Sequence, residues 1–344
     1  MPDLATDREA AEAADTAGAD TPGGGEEQLP ETLQNQAAVV SLSAAAPRIQ
    51  WYPGHIAKAE KALNSHLEKV DLVIEVRDAR IPLATGHPRL QRWMRNKQHL
   101  LVINRRDMIN EAARLAWDGW FRQHGQTPWW CDAKAGTGVK QLQQAAIRSG
   151  EVLNARRRDR GMKPRAVRAL MLGFPNVGKS ALINRLMRQK VVDSARRAGV
   201  TRALRWVRLG QDLDLLDAPG VLPPRLDDQH AALRLALCDD IGQAAYDVEQ
   251  VSLAFVRLLA LLEPQTAAGV APGVLQRRYG VAVPELEERD SLADGSTPRP
   301  DAVHWLMAAS QRHTSGDTGR MAQRLLDDYR RGLLGPIALE LPAG

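Results

Sequence analysis

Between residues 70 and 220, short apolar runs alternate with stretches whose apolar positions recur every three or four residues. The runs Val70–Val76, His99–Ile103, Thr127–Asp132, Ala169–Leu172, Leu204–Leu209 and Leu213–Leu216 predict strands. The longer stretches predict helices over Ala57–Lys69, Pro88–Asn96, Glu111–His124, Val139–Ala155 and Ala181–Met187. Nearly continuous apolar runs mark strands buried on both faces. Strands alternating with helices therefore predict an α/β domain, a parallel sheet covered by helices, over residues 47–228. From about Gln229 the alternation stops and the pattern stays helical to the end. Val251–Leu262 is apolar nearly all round and predicts a buried helix. Thr318–Arg331 places Met321, Leu325 and Tyr329 on one stripe, with Gly332 suited to a helix C-terminus. Residues 229–344 are thus expected to form an all-helical C-terminal domain. Arg77–Pro82 and Asp290–Arg299 read as polar connections.

Composition changes this picture at the N-terminus. Residues 1–46 are rich in Ala, Asp, Glu, Gly and Thr and carry nine acids against one base. So few large apolar groups cannot offset the entropy of ordering, and a disordered acidic tail is expected. The whole chain of 344 residues has a formal charge of +5, so the remainder carries +13. A basic body points to an anionic partner, with nucleic acid first among the candidates. The run Arg156–Arg168 holds seven bases and one acid. It reads either as a solvated linker or as a contact to phosphate backbone. No apolar run reaches membrane-spanning length, and no secretory signal opens the chain. Cys131 and Cys238 lack metal-ligand spacing and read as reduced thiols of a cytoplasmic protein.

Chemistry enters at Gly173-x-x-x-x-Gly178-Lys179-Ser180. A strand runs into it and a helix leaves it, the context a phosphate-binding loop requires. Gly173, Pro175, Asn176, Val177, Gly178, Lys179, Ser180 and Ala181 would wrap backbone N–H groups and a helix N-terminus around an anion. Lys179 would reach the β- and γ-phosphates, and the Ser180 hydroxyl would ligate Mg2+. Asp217-Ala-Pro-Gly220 follows another strand. Its Asp217 would hold Mg2+ through water, and the Gly220 N–H would sense the γ-phosphate. Thr201 is the best-placed switch threonine for the Mg2+ shell, or else an ordinary loop residue.

The base is selected elsewhere. Asn104-Arg105-Arg106-Asp107 follows the strand ending at Ile103 and has the form of a guanine-reading Asn-Lys-x-Asp. The Asp107 carboxylate would accept from the guanine N1 and N2 hydrogens, and adenine offers no such pair of donors. Arg105 stands where lysine is usual, and an arginine can also stack on a base. Asp132-Ala133-Lys134 would present a backbone N–H to guanine O6 from about Ala133, or is simply an Asx turn. Both base-reading stretches precede the phosphate loop. A P-loop GTPase fold then closes only with a circularly permuted motif order.

That order, with Trp51-Tyr-Pro-Gly-His-Ile-Ala-Lys58, Asp78-Ala-Arg-Ile-Pro82, Gly173–Ser180, Asp217–Gly220 and Tyr329-Arg-Arg-Gly-Leu-Leu-Gly335, resembles the ribosome biogenesis GTPase A family over about residues 48–344. The resemblance implies GTP hydrolysis to GDP and phosphate, coupled to late assembly of the large ribosomal subunit, with binding to ribosomal RNA. Neither a membrane nor DNA is expected as a partner. It also implies two residue roles. His55 would orient the attacking water, since Val221 stands where many GTPases place glutamine; a structural or RNA-contacting histidine is the alternative. Asn176 would hold K+ beside the phosphates, or merely shape the loop. Ala181 and Ala218 depart from the family's usual threonines. An RNA-binding assembly factor that holds guanine nucleotide with little turnover remains the competing reading; an ATPase or nucleotide kinase fits Asp107 and Asp217–Gly220 poorly.

Overall fold

A computed structural model describes residues 49, 66–94, 97–187, 205–218, 220, 228–284 and 301–343. The acidic tail, the Trp51–Lys58 stretch with His55, most of the expected helix Ala57–Lys69, Thr201, Val221 and the Asp290–Arg299 connection lie outside these residues.

Six strands form one sheet: β1 (Leu72–Asp78), β2 (Gln98–Asn104), β3 (Pro128–Trp130), β4 (Val167–Gly173), β5 (Arg205–Leu209) and β6 (Leu213–Asp217). Their spatial order is β3-β2-β1-β4-β6-β5. All neighbours pair in parallel except β5 with β6. Counted from the phosphate-loop strand β4, the order becomes 6-5-4-1-3-2. The chain has therefore been reconnected between β3 and β4, as the motif order predicts.

The connecting element is α3 (Val139–Asp159), which follows the short α1 (Leu90–Trp93) and α2 (Glu111–Gln123). Here the sequence reading needs correction. The helix runs four residues past Ala155 and takes in Arg156–Asp159, so only the seven residues 160–166 are left before β4. Two other boundaries shrink. The described helical residues of α1 are four, and β3 stops at Trp130 because Asp132 leaves the ladder to form a turn.

Period-two burial assigns the two sheet faces. Leu72, Ile74 and Val76 of β1, Ala169 and Met171 of β4, and Leu213 and Leu215 of β6 share one core with Leu142 and Ala146 of α3 and with Leu182 and Ile183 of α4 (Lys179–Met187). Val73, Leu170, Leu172 and Leu216 face the other way, onto Leu67, Val70, Leu90 and Trp93. Leu101 and Ile103 pack on Ala113, Trp117 and Phe121 of α2.

The helical region comprises α5 (Gln229–Leu237), α6 (Val248–Leu262), α7 (Val274–Tyr279), α8 (Ala302–His313) and α9 (Thr318–Arg330). Met321, Leu325 and Tyr329 are fully buried on one stripe, as expected. The same apolar core runs without a break from the first sheet face into α5, α6 and α9.

The segment Arg77–Pro82 is not a polar surface loop. Asp78 still belongs to β1, and Asp78 and Arg80 are both 0% exposed. Arg80 Nη2 donates to Asp78 Oδ2 at 2.7 Å and to the Cys238 carbonyl at 3.1 Å, and the guanidinium lies 5.5 Å from the Tyr329 ring centroid. The chain's last residues complete the hub. Leu339 and Glu340 donate their N–H groups to Arg80 O, and the Glu340 carboxylate accepts from the N–H of Leu83 and Ala84. Sequence alone reads such charges as exposed because ionised groups are rarely buried unless paired, and the partners come from residues far along the chain. Replacing Arg80 by Leu leaves Asp78 buried without its principal partner. A loss of about 3–5 kcal/mol is expected, read as a lowered urea midpoint; an unchanged midpoint would refute the hub's structural role.

Candidate functional site

The C-terminal ends of the parallel strands meet along one edge, where open α/β sheets place their ligands. Asp78, Asn104, Gly173 and Asp217 end β1, β2, β4 and β6 there, and Asp132 lies just past β3.

Asn104 ties the two halves of the site together. It is 2% exposed. Its Nδ2 donates to Val177 O at 2.9 Å, inside the phosphate loop, and its Oδ1 accepts from Ala133 N–H at 3.1 Å. The Ala133 N–H, expected to face guanine O6, is thus engaged by Asn104 in this state. Asp132 Oδ1 accepts from the N–H groups of Lys134 and Ala135 at 2.8 and 3.0 Å, so this stretch does form an Asx turn. That turn stands beside Asp107, which lies exposed at the rim with Lys134. Partial burial, then the Asp132 carboxylate, raise the Asp107 pKa above its ordinary value.

Arg105 occupies the left-handed region at φ 63°. Its guanidinium turns back to the phosphate loop, donating to Asn176 O and lying 3.4 Å from Asp78 Oδ2. Arg106 N–H donates to Cys131 O, which pins the base-reading turn to β3.

In the phosphate loop, Gly173 and Gly178 are there for space. A Cβ on Gly173 would meet Val76 O at 2.3 Å, and one on Gly178 would meet Asn104 Nδ2 at 2.2 Å. Lys179 is 6% exposed and donates to Gly173 O and Phe174 O at 3.1 and 2.7 Å. Pro175 lies against Gly220, where an added Cβ would approach its ring and backbone to 2.6 Å. The two stretches expected to meet phosphate are therefore adjacent. Ser180 and Ala181, at the start of α4, are half-buried, and Asp217 is 1% exposed.

The comparisons with known proteins agree with this geometry. A family model described as 50S ribosome-binding GTPase matches residues 168–257. That match opens on β4, so Asn104–Asp107 and Asp132–Lys134 lie upstream of it. The fold resembles GNP-bound YlqF from T. maritima, with a TM-score of 0.51 and 21% identity, over 83% of this chain and 98% of that one. Ribosome biogenesis GTPase A of Bacillus pumilus is 34% identical over 297 residues, covering 86% of this chain and 99% of its own. The protein of that name from Bacillus cereus is 31% identical over 86% of this chain and 94% of its own. The chain belongs to the ribosome biogenesis GTPase A family.

As a member it is a GTPase, and Mg2+ dependence follows generally for such enzymes. The site's donors fit the ion: a hydroxyl at Ser180 and a carboxylate at Asp217, both oxygen ligands at the phosphate end of the site. Ser180 and Asp217 would hold the ion, which would supply positive charge against the negative charge developing on the phosphates. Among the described residues, no group of three or more His, Cys, Asp or Glu could hold another metal, and no helix is long and apolar enough to cross a membrane. Cys131 and Cys238 are buried free thiols, and burial pushes Cys131 up to about 12.

Sequence reasoning missed the acid pair behind the phosphate loop in this GTPase. Asn176, at φ 57°, donates Nδ2 to Asp239 O at 2.6 Å, just past α5. Asp240 is 0% exposed, with neither carboxylate oxygen hydrogen-bonded. Burial, then the Asp78 carboxylate, hold its pKa well above the ordinary value. Two acids directly after an apolar helix were the only available signal.

The Lys179 ammonium also responds to burial, which lowers it to about 8 against the opposing pull of Asp217 and Asp240. Bound phosphates would raise it again by direct charge attraction. GTP affinity is therefore expected to be flat below pH 8 and to fall above it by about tenfold per pH unit. Binding titrations between pH 7 and 9.5 test this; a flat profile would show that Lys179 is already fully protonated in the free protein.

Proposed function

We propose that this GTPase times its binding to, and release from, an assembling large ribosomal subunit by hydrolysing GTP in the cytoplasm, with ribosomal RNA among its contacts. The observation that carries the reading is the direct bond between the phosphate loop and the helical region, Asn176 Nδ2 to Asp239 O. Arg105 joins the same loop to Asp78, and Asp78 holds Arg80 against Cys238 O at the end of α5. A change at the γ-phosphate would thus be felt at residues 238–240 without an intervening linker. On this reading residues 47–228 form the nucleotide switch and 229–344 the helical partner-facing domain.

Each site residue then has a task. Gly173, Pro175, Asn176, Val177, Gly178, Lys179, Ser180 and Ala181 cradle the phosphates, with Gly220 at the γ-phosphate. Asn104, Arg105, Arg106, Asp107, Asp132, Ala133 and Lys134 frame guanine. Ser180 and Asp217, with Thr201 from outside the described residues, hold Mg2+. The Asn176 side-chain oxygen supports K+ beside the phosphates, since its Nδ2 is already committed to Asp239 O. His55 positions the attacking water.

The test is GTP turnover by the full chain in KCl and in NaCl, with and without large ribosomal subunits. Strong stimulation by subunits, greater in KCl, is expected, with His55→Ala lowering turnover and sparing GTP binding. Absence of stimulation with intact GTP binding would replace this reading by a factor that holds nucleotide with little turnover.

A further inference from the structure

One surface lies apart from the nucleotide site. Beneath the sheet, at the opposite end from the phosphate loop, Lys69, Arg168, Trp206, Arg208 and Asp214 line an open cleft of about 400 Å3. Strand register explains the grouping. Arg208 of β5 pairs with Asp214 of β6, and Asp214 pairs with Arg168 of β4, so the three stand in one row across the sheet. Trp206 is two residues along β5 from Arg208, on the same face, and is 39% exposed. The Arg208 side chain is 80% exposed, touching Asp214 at 3.3 Å. Arg168 and Lys69 are exposed too. Three cations against one carboxylate leave the cleft positive around a partly exposed Trp206.

The charge continues beyond the cleft. Arg165 makes a paired contact to Asp71 at 2.6 and 2.8 Å, and Arg168 N–H donates to the same carboxylate. Asn154 of α3 bonds Arg165 through both its amide groups. These bonds bring the end of α3, with exposed Arg156, Arg158, Arg160 and Lys163, up to the same edge. The basic run that reads as a linker is thus tied, as a basic band, to the start of β4, where Arg168 lines the cleft.

We propose that this cleft and band bind an unpaired RNA segment, with Trp206 stacking on a base and Lys69, Arg168 and Arg208 meeting phosphates. The inference rests on the RNA-contacting part of the function proposed above. An aromatic face set among cations is the arrangement that single-stranded nucleic acid uses, since every base offers a π-face and every linkage a charge. A duplex keeps its bases stacked and would engage the cations alone. An acidic protein segment would gain nothing from the indole beyond apolar area. The five residue-to-residue steps from Arg168 to Gly173 separate the cleft from the phosphate loop by about 17 Å, so nucleotide chemistry and RNA contact occupy opposite ends of the sheet.

The test uses the full chain, a fluorescently labelled mixed-sequence RNA 12-mer, and the same strand in a duplex, titrated by anisotropy at several KCl concentrations. Trp206→Ala is expected to weaken single-strand binding about tenfold or more, with the salt slope unchanged, whereas Trp206→Phe retains most of the affinity. Arg208→Ala should lower the salt slope by about 0.7. Basal GTP turnover should stay at the wild-type rate in all three. Equal single-strand affinity for wild type and Trp206→Ala, or no binding by the wild type, overturns the proposal. So does a duplex bound as tightly as the single strand. Subunit-stimulated turnover is read separately. Its absence alongside Trp206-dependent RNA binding would overturn the ribosomal reading while leaving this surface in place.

Discussion

Asp107→Asn is expected to cut GTP affinity by at least about a hundredfold and to make xanthosine triphosphate the better ligand. The argument is one of hydrogen-bond inventory. In the proposed role the carboxylate accepts two bonds, from guanine N1–H and the exocyclic amine. Bonds to a charged group contribute about 1.5–3 kcal/mol each, so losing the match is worth about 3–6 kcal/mol, or two to four orders of magnitude. Asparagine still accepts from N1–H but faces the exocyclic amine with another donor. Xanthine carries a carbonyl there, which the asparagine amide satisfies. Asp107 is free to do this because it stands exposed at the rim, while its neighbours Asn104 and Asp132 are occupied in holding the turns. Its raised pKa adds a pH test with a definite sign. Protonation replaces an acceptor by a donor, so GTP affinity should fall on the acid side, beginning at a higher pH than for an ordinary aspartate. Calorimetric titration with both nucleotides decides the matter. Equal GTP affinity in the variant would remove Asp107 from base recognition and reopen the case for a different nucleotide.

Gly178→Ala is expected to abolish measurable nucleotide binding through a steric conflict two motifs away. The new Cβ would stand 2.2 Å from Asn104 Nδ2, on a backbone with φ 98°. The backbone strain alone costs about 1–3 kcal/mol. The larger effect is on Asn104, which must swing away and give up both Val177 O and Ala133 N–H. That leaves buried polar groups unpaired, at about 1–3 kcal/mol each, and lets the phosphate loop and the base-reading turns drift apart. Thermal unfolding and GTP titration should both register the change. The double variant Asn104→Ala/Gly178→Ala supplies the check. Removing the amide removes the clash, so the pair should be no less stable than Gly178→Ala alone, a marked departure from additivity. Additive losses would mean that the two residues do not meet as described.

The site is divided in two. The residues proposed to cradle the phosphates are nearly contiguous in sequence, from Gly173 to Ala181, and local pattern alone singles them out. Parts that hold the site in register are distant from one another. Asn104 joins Val177 across 73 residues and Ala133 across 29. Asn176 reaches Asp239 across 63, and Arg80 reaches Cys238 across 158. These links make a single unit of the permuted switch and the helical region.

The alternation of apolar runs determined the sheet and its covering helices, because a strand buried on two faces has few other ways to be written. Motif order determined the permutation, since β4 must carry the phosphate loop wherever it falls in the chain. The stripe Met321, Leu325 and Tyr329 likewise determined α9. What only the tertiary structure decided is where the charges go. Asp78 and Arg80 read as solvent-facing and are fully buried, because Cys238 O, Tyr329 and the Leu339–Glu340 backbone enclose them. Arg105 reads as a residue able to stack on a base, and which groups its guanidinium meets, Asn176 O and Asp78, is visible only in the fold. Helical periodicity in α3 is masked by consecutive arginines, whose place on a helix end is set by the approach of Asn154 to Arg165. In each case a polar side chain was assigned by partners contributed from elsewhere in the chain. Apolar burial follows a local period, but the pairing of buried charges depends on which distant groups the fold brings within hydrogen-bonding distance.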